Sequence, residues 1–204
     1  MPFLGSLAGD PMRPERRSFE QQLEAGIIAG IASAVPAAII LAIGGALSAF
    51  GAATPFYSII SIVDPGPLQA ALGAVKAGNE PEFFQLQVSG GIGLCALMGA
   101  ISGIIFSFGL RKGHIKGFPR YLIGALHGIA MMCLFYVVGF RLVTEVFNIQ
   151  DADIMSLARV VGWPLLVLAH AVHGVVIAWV MRTGLVSPKA VFGPPITAEG
   201  KLRE

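Results

Sequence analysis

Four stretches of this chain contain no Asp, Glu, Lys or Arg: 25–63, 83–110, 121–140 and 160–181. A bilayer crossing needs about 20 consecutive apolar residues, so each stretch is long enough to span one. Lipid offers no hydrogen-bond partner to a backbone amide, so each span must satisfy its own amides as a helix. A transmembrane barrel would instead show alternating segments of about ten residues, and no such pattern occurs. The spacing therefore predicts an all-α membrane protein with four transmembrane helices near 25–50, 88–110, 119–143 and 158–182. Composition agrees. Only 13% of the 204 residues are charged, against about 25% in a typical soluble domain.

The charges lie between the spans, and they are sorted. Arg13, Arg16, Arg17, Arg111, Lys112, Lys116, Arg120, Arg182, Lys189, Lys201 and Arg203 fall on one side of the predicted bundle. The other side has Lys76, Arg141 and Arg159 against Asp64, Glu80, Glu82, Glu145, Asp151 and Asp153. The positive-inside rule then places both termini in the cytoplasm. The basic side is expected to rest on anionic head groups of the lipid bilayer, and nothing in the pattern asks for nucleic acid. The expected organisation is a cytoplasmic tail over 1–24, a membrane bundle over 25–184 and a cytoplasmic tail over 185–204. The first polar tail precedes an apolar run too long for the 7–15-residue core of a cleaved signal peptide.

The loops have shape of their own. Ser18 with Gln21 fits a capping box, which suggests a helix on the membrane surface over 18–24. Pro36 should kink the first span. The first apolar run is too long for one crossing, so 55–63 reads as an interfacial or re-entrant segment. Within the outer loop over 55–82, Pro67 fits the first turn of a helix. Leu68, Leu72 and Val75 recur at helical spacing, and Gly78 can end that helix. A short amphipathic helix on the outer surface follows. Pro164 should bend the fourth span, and Asp151 or Asp153 is placed to cap it.

Glycine pairs recur at one spacing. Gly26 and Gly30, Gly99 and Gly103, and Gly124 and Gly128 are each separated by four positions, and Gly174 stands beside His173. Small residues at this spacing let helix backbones approach closely in lipid, so these seven glycines are the expected helix-packing residues. They also expose a weak internal repeat. Residues 97–105 align with 168–176, bringing Arg111 onto Arg182, and Gly26 and Gly30 align with Gly124 and Gly128. The chain then reads as two tandem helical hairpins of the same orientation, over 25–111 and 119–182. Parallel repeats occur in transporters, although short glycine-alanine matches between membrane helices also arise by chance.

No acid or base lies in a predicted span core. That weighs against a carboxylate proton relay or an ion-coupled pump. It also weighs against a hydrolase, which needs a positioned acid, base or nucleophile. Histidine remains. His127 and His173 fall at matched depth on the third and fourth spans, and His170 is one turn from His173. Two histidines so placed can ligate a haem b or a chlorophyll-type pigment, with neighbouring glycines making room for the macrocycle and Met131 as a further axial or copper ligand. The weightier reading is that neutral histidines hydrogen-bond across helix interfaces and act as packing glue. His114 is expected to be solvated. Cys95 and Cys133 fall in the same half of the membrane, which leaves a disulfide open, but the weightier reading is two small buried apolar residues.

With the glycine pairs, the segment Pro55-Phe-Tyr-Ser-Ile-Ile-Ser-Ile-Val and the His-Gly steps in view, the chain resembles a loose group of uncharacterised bacterial four-helix inner-membrane proteins. The resemblance covers most of 25–182. It implies the fold and a bacterial inner membrane, and it carries over no activity and no catalytic residues. The functional expectation is a protein without catalysis of its own, an accessory or scaffold subunit bound to other membrane-protein subunits or to itself. The alternatives are a tetrapyrrole-binding electron-transfer subunit and a small transporter or channel for neutral solutes.

Overall fold

A computed structural model describes residues 19–109, 118–139, 142, 145–146 and 155–183. The tails, the basic loop with His114, and the candidate caps Asp151 and Asp153 lie outside the described residues. The described chain is helical, without strands, and four of its helices are long and apolar enough to cross a membrane. It is a multi-pass membrane protein.

Helix α1 (Phe19–Leu47) is the first span and α4 (Gln85–Gly109) the second. Helix α5 (Phe118–Cys133) continues as a wider π-helical segment, Leu134–Gly139, to make the third. Helix α7 (Trp163–Thr183) is the fourth. Three expectations need correction. Residues 19–24 form no separate surface helix but the first turns of α1, where Gln22 is buried against α4. The third span is not α-helical throughout, since its last turns widen at Leu134. The fourth span is shorter than expected, because the chain breaks at Gly162 rather than bending at Pro164. Gly162 has φ +83°, a conformation that L side chains rarely adopt. It separates helix α6 (Met155–Val161) from α7. The break loses little hydrogen bonding, because the Gly162 amide donates to the Ala158 carbonyl and Leu166 donates back to Gly162, at 2.9 and 3.0 Å. Pro164 falls in the first turn of α7, where its missing N–H has no helical acceptor to serve.

The segment expected to be interfacial or re-entrant is helix α2 (Thr54–Ile60), with residues 54–58 buried. It seats against α4 and α6. Gly91 makes the seat, since a Cβ there would come within 2.5 Å of the Phe56 carbonyl. The expected surface helix is α3 (Gly66–Lys76), which buries Pro67, Leu68 and Ala71. Asp64 fastens its start, accepting from the Gly66 amide at 3.3 Å and from Gln87 Nε2 at 3.1 Å. Gly78, at φ +77°, follows its end. Tyr57 ties this cap together. Its hydroxyl accepts from the Phe84 amide at 2.8 Å and donates to the Glu82 carbonyl at 3.2 Å.

The four spans form a curved row in the order α4, α1, α7, α5. Helix α1 lies against both α4 and α7, and α5 lies against α7, whereas α4 and α5 barely meet. Helix α1 runs unbroken through Pro36, whose ring leaves the Ala32 carbonyl without its helical donor. One apolar cluster joins Leu41 to Leu157, Val160, Val161, Leu166 and Ala169 near the end carrying α2 and α3. A second joins Ala25, Ala29, Phe106, Ile177, Ala178 and Met181 near the basic end. Large apolar side chains such as Ile31, Val35, Ile39 and Ile43 form an exposed row on α1, as lipid-facing positions do.

Candidate functional site

The polar centre of the bundle is built on two glycine crossings. In the first hairpin, a Cβ on Gly26 would lie 2.7 Å from the Ile104 Cα. One on Gly30 would collide with the Gly99 carbonyl, and one on Gly103 with the Gly26 carbonyl. In the second hairpin, a Cβ on Gly124 would lie 2.5 Å from the Gly174 carbonyl oxygen. One on Gly128 would collide with the His170 carbonyl, and one on Gly174 with the Gly124 carbonyl. The contacts correspond position for position under the repeat alignment: Gly30 on Gly99 matches Gly128 on residue 170, and Gly26 on Gly103 matches Gly124 on Gly174. In both hairpins backbone touches backbone, which only residues without a side chain permit. The space beside His170 and His173 is therefore filled by α5 itself.

The histidines bond between the hairpins. Ser33 of α1 donates its hydroxyl hydrogen to the Gly30 carbonyl at 2.7 Å. A hydroxyl has one hydrogen, so the 2.8 Å contact between Ser33 Oγ and His173 Nδ1 is a donation from the ring N–H to serine. This assigns a proton to Nδ1. On the far side, His127 Nε2 lies 3.1 Å from both the carbonyl and the hydroxyl oxygen of Ser102 on α4. The carbonyl can only accept, so Nε2 carries the hydrogen. The His127 ring also packs on Phe106, with centroids 5.0 Å apart. His170 turns back on its own helix, donating from Nδ1 to the Leu166 carbonyl at 2.9 Å.

The histidines thus lie in one region, but their described bonds diverge. His173 reaches α1, His127 reaches α4, and His170 stays on α7. Met131 is buried. No group of three or more His, Cys, Asp or Glu side chains suited to a metal occurs among the described residues. Cys95 is half-buried, and Cys133 is exposed on the outer face of α5, correcting the expectation that both are buried; both are free thiols.

Sequence reasoning missed the serines. Ser33 and Ser102 are fully or nearly fully buried, and each is the partner that orients a histidine. The repeat alignment held a signal, because it places Ser102 onto His173: the two equivalent positions each bond to the other hairpin. Three other buried hydroxyls bond locally. Thr54 donates to the Phe50 carbonyl, Ser58 to Thr54 and Ser61 to Ser58, at 2.5, 3.3 and 2.7 Å. Ser107 donates to the Gln22 carbonyl at 2.9 Å, linking α4 to α1. A shallow, open cleft of about 250 Å³ lies at the α2 end, between residues 50–54 and 81–83.

No family model, curated protein or solved structure matches this chain.

Proposed function

We propose that this protein is a non-catalytic, multi-pass subunit of a bacterial inner membrane, with both termini cytoplasmic, that acts as a scaffold or accessory component of a larger membrane assembly or self-associates. The observation that carries the reading is an interior spent on holding itself together. Among the described residues, the buried serine and threonine hydroxyls and His173 hydrogen-bond inside the bundle, and the paired glycines are closed by backbone. Such an interior favours two rigid hairpins and a structural role over turnover. The orientation rests on the sorting of basic residues to one side. The cap of α2 and α3, stapled by Tyr57 and Asp64, offers a partner a fixed surface at the other end.

The tetrapyrrole reading draws less support. Its two proposed axial ligands each donate one ring N–H to a serine residue on different helices, and the glycines thought to make room are covered. The test is purification of a tagged chain, expressed at native level, in mild detergent, followed by native mass spectrometry. A complex well above the 21.4 kDa of one chain is expected, and the masses distinguish self-association from foreign subunits. A lone monomer that keeps its lipids would overturn the proposal.

A further inference from the structure

We infer that the two hairpins rock about the α1–α7 contact, so that the seam between α4 and α5 opens and closes, with His127 as its latch. The repeat makes the two seams equivalent: α1 on α7 corresponds to α5 on α4. They are built differently. On α1 the row facing α7 is Ala25, Ala29 and Ser33, all small and buried, packed with Ile177 and Ala178 and bonded to His173. The equivalent row on α5 is Ile123, His127 and Met131. Small side chains let helices reach the close end of the 8–10 Å range of axial distances. Isoleucine, histidine and methionine are bulkier and should hold the backbones further apart.

The described contacts follow this difference. Helices α1 and α7 make an extensive contact, while α4 and α5 touch only slightly. The α4–α5 contact centres on His127, which bonds Ser102 and leans on Phe106. Ile123 packs partly buried beside the same Phe106 cluster. One seam is thus fixed by close packing along a row, the other by the His127–Ser102 bond with His127 and Ile123 beside Phe106. Lipid adds no hydrophobic force to press helices together, so the second seam depends on that bond and on the local packing at Phe106. An interhelical hydrogen bond in a membrane averages about a threefold bias in such an equilibrium, too little to keep the seam shut.

The experiment uses the full chain in a C95A/C133A background, reconstituted into phosphatidylcholine–phosphatidylglycerol vesicles. Spin labels are placed at the lipid-facing pair Ile105 and Leu126 across α4/α5, and at Val35 and Leu168 across α1/α7. Double electron–electron resonance should give two distances for the first pair and one narrow distance for the second. H127L keeps the bulk and removes the ring N–H, and should raise the ratio of the longer to the shorter distance about threefold. The triple change I123A/H127A/M131S, which copies the first hairpin, should merge the two distances into one short, narrow peak. The Val35–Leu168 distance reports folding and should stay narrow in every variant. A single narrow Ile105–Leu126 distance, unchanged by H127L in a chain whose α1/α7 distance is intact, overturns the inference.

Discussion

Contacts inside each hairpin differ in kind from contacts between hairpins. Inside, glycines bring backbone onto backbone, at Gly30 on Gly99 and at Gly128 on His170. Between, side chains do the joining, through Ser33 with His173 and Ser102 with His127. The first kind leaves no volume to give, because the neighbour is main chain and cannot change rotamer. The second kind can be altered one group at a time. The same bundle should therefore be brittle within hairpins and tolerant between them.

The largest expected effect is at the crossings. Gly174→Leu forces a four-carbon side chain onto the Gly124 carbonyl and should cost about 3 kcal/mol or more. Gly103→Leu, its equivalent in the first hairpin, should cost a similar amount. Unfolding by titration with sodium dodecyl sulfate measures both, and a crossing that tolerates leucine would break the comparison at its strong end. Gly93→Ala is the matched control. A Cβ there meets nothing within 4 Å, so stability should hold or rise by up to about 1 kcal/mol from helix propensity.

Tyr57→Phe comes next. It leaves the ring against Phe84 but removes both hydroxyl bonds that tie the cap to the start of α4. A loss of about 1–2 kcal/mol is expected, together with faster proteolysis of the 77–84 loop. Unchanged cleavage would show that the cap is held by α3 packing alone.

The smallest effects should come from the histidines. Ser33→Ala and His173→Ala each break one bond between hairpins, at a cost of about 0.6 kcal/mol and at most about 1.7. The double mutant should cost no more than the larger single change plus a few tenths of a kcal/mol, since both delete the same contact. Full additivity across that cycle would mean that the contact contributes nothing.

The fold was readable because charge is excluded from a span, and 25–63 or 160–181 advertise this without any alignment. The α3 helix was readable from Asp64, Pro67 and Gly78, which act locally. The boundaries were harder. Glu20 and Glu24 drew the expected start of α1 inward, but they stand on an apolar helix that packs through Gln22 and Ala25. Pro164 attracted the prediction of a bend, whereas Gly162 takes the positive φ. The three histidines stood out by type, yet their partners did not. Which serine each one meets depends on how four helices are ordered and rotated, and that order is set by the volumes of residues such as Ala25, Ala29, Ile123 and Met131. A sequence displays those volumes but not the faces that meet.

The central claim is that His127 and His173 hold helices and not a pigment or haem. An absorption spectrum of the protein purified in mild detergent, oxidised and then dithionite-reduced, tests it most directly. Intact, folded protein should show only the ultraviolet band of its Tyr and Trp side chains and nothing in the visible. A Soret band that shifts on reduction and disappears in His127→Ala, or a red chlorophyll-like band, would contradict the account and make these histidines ligands.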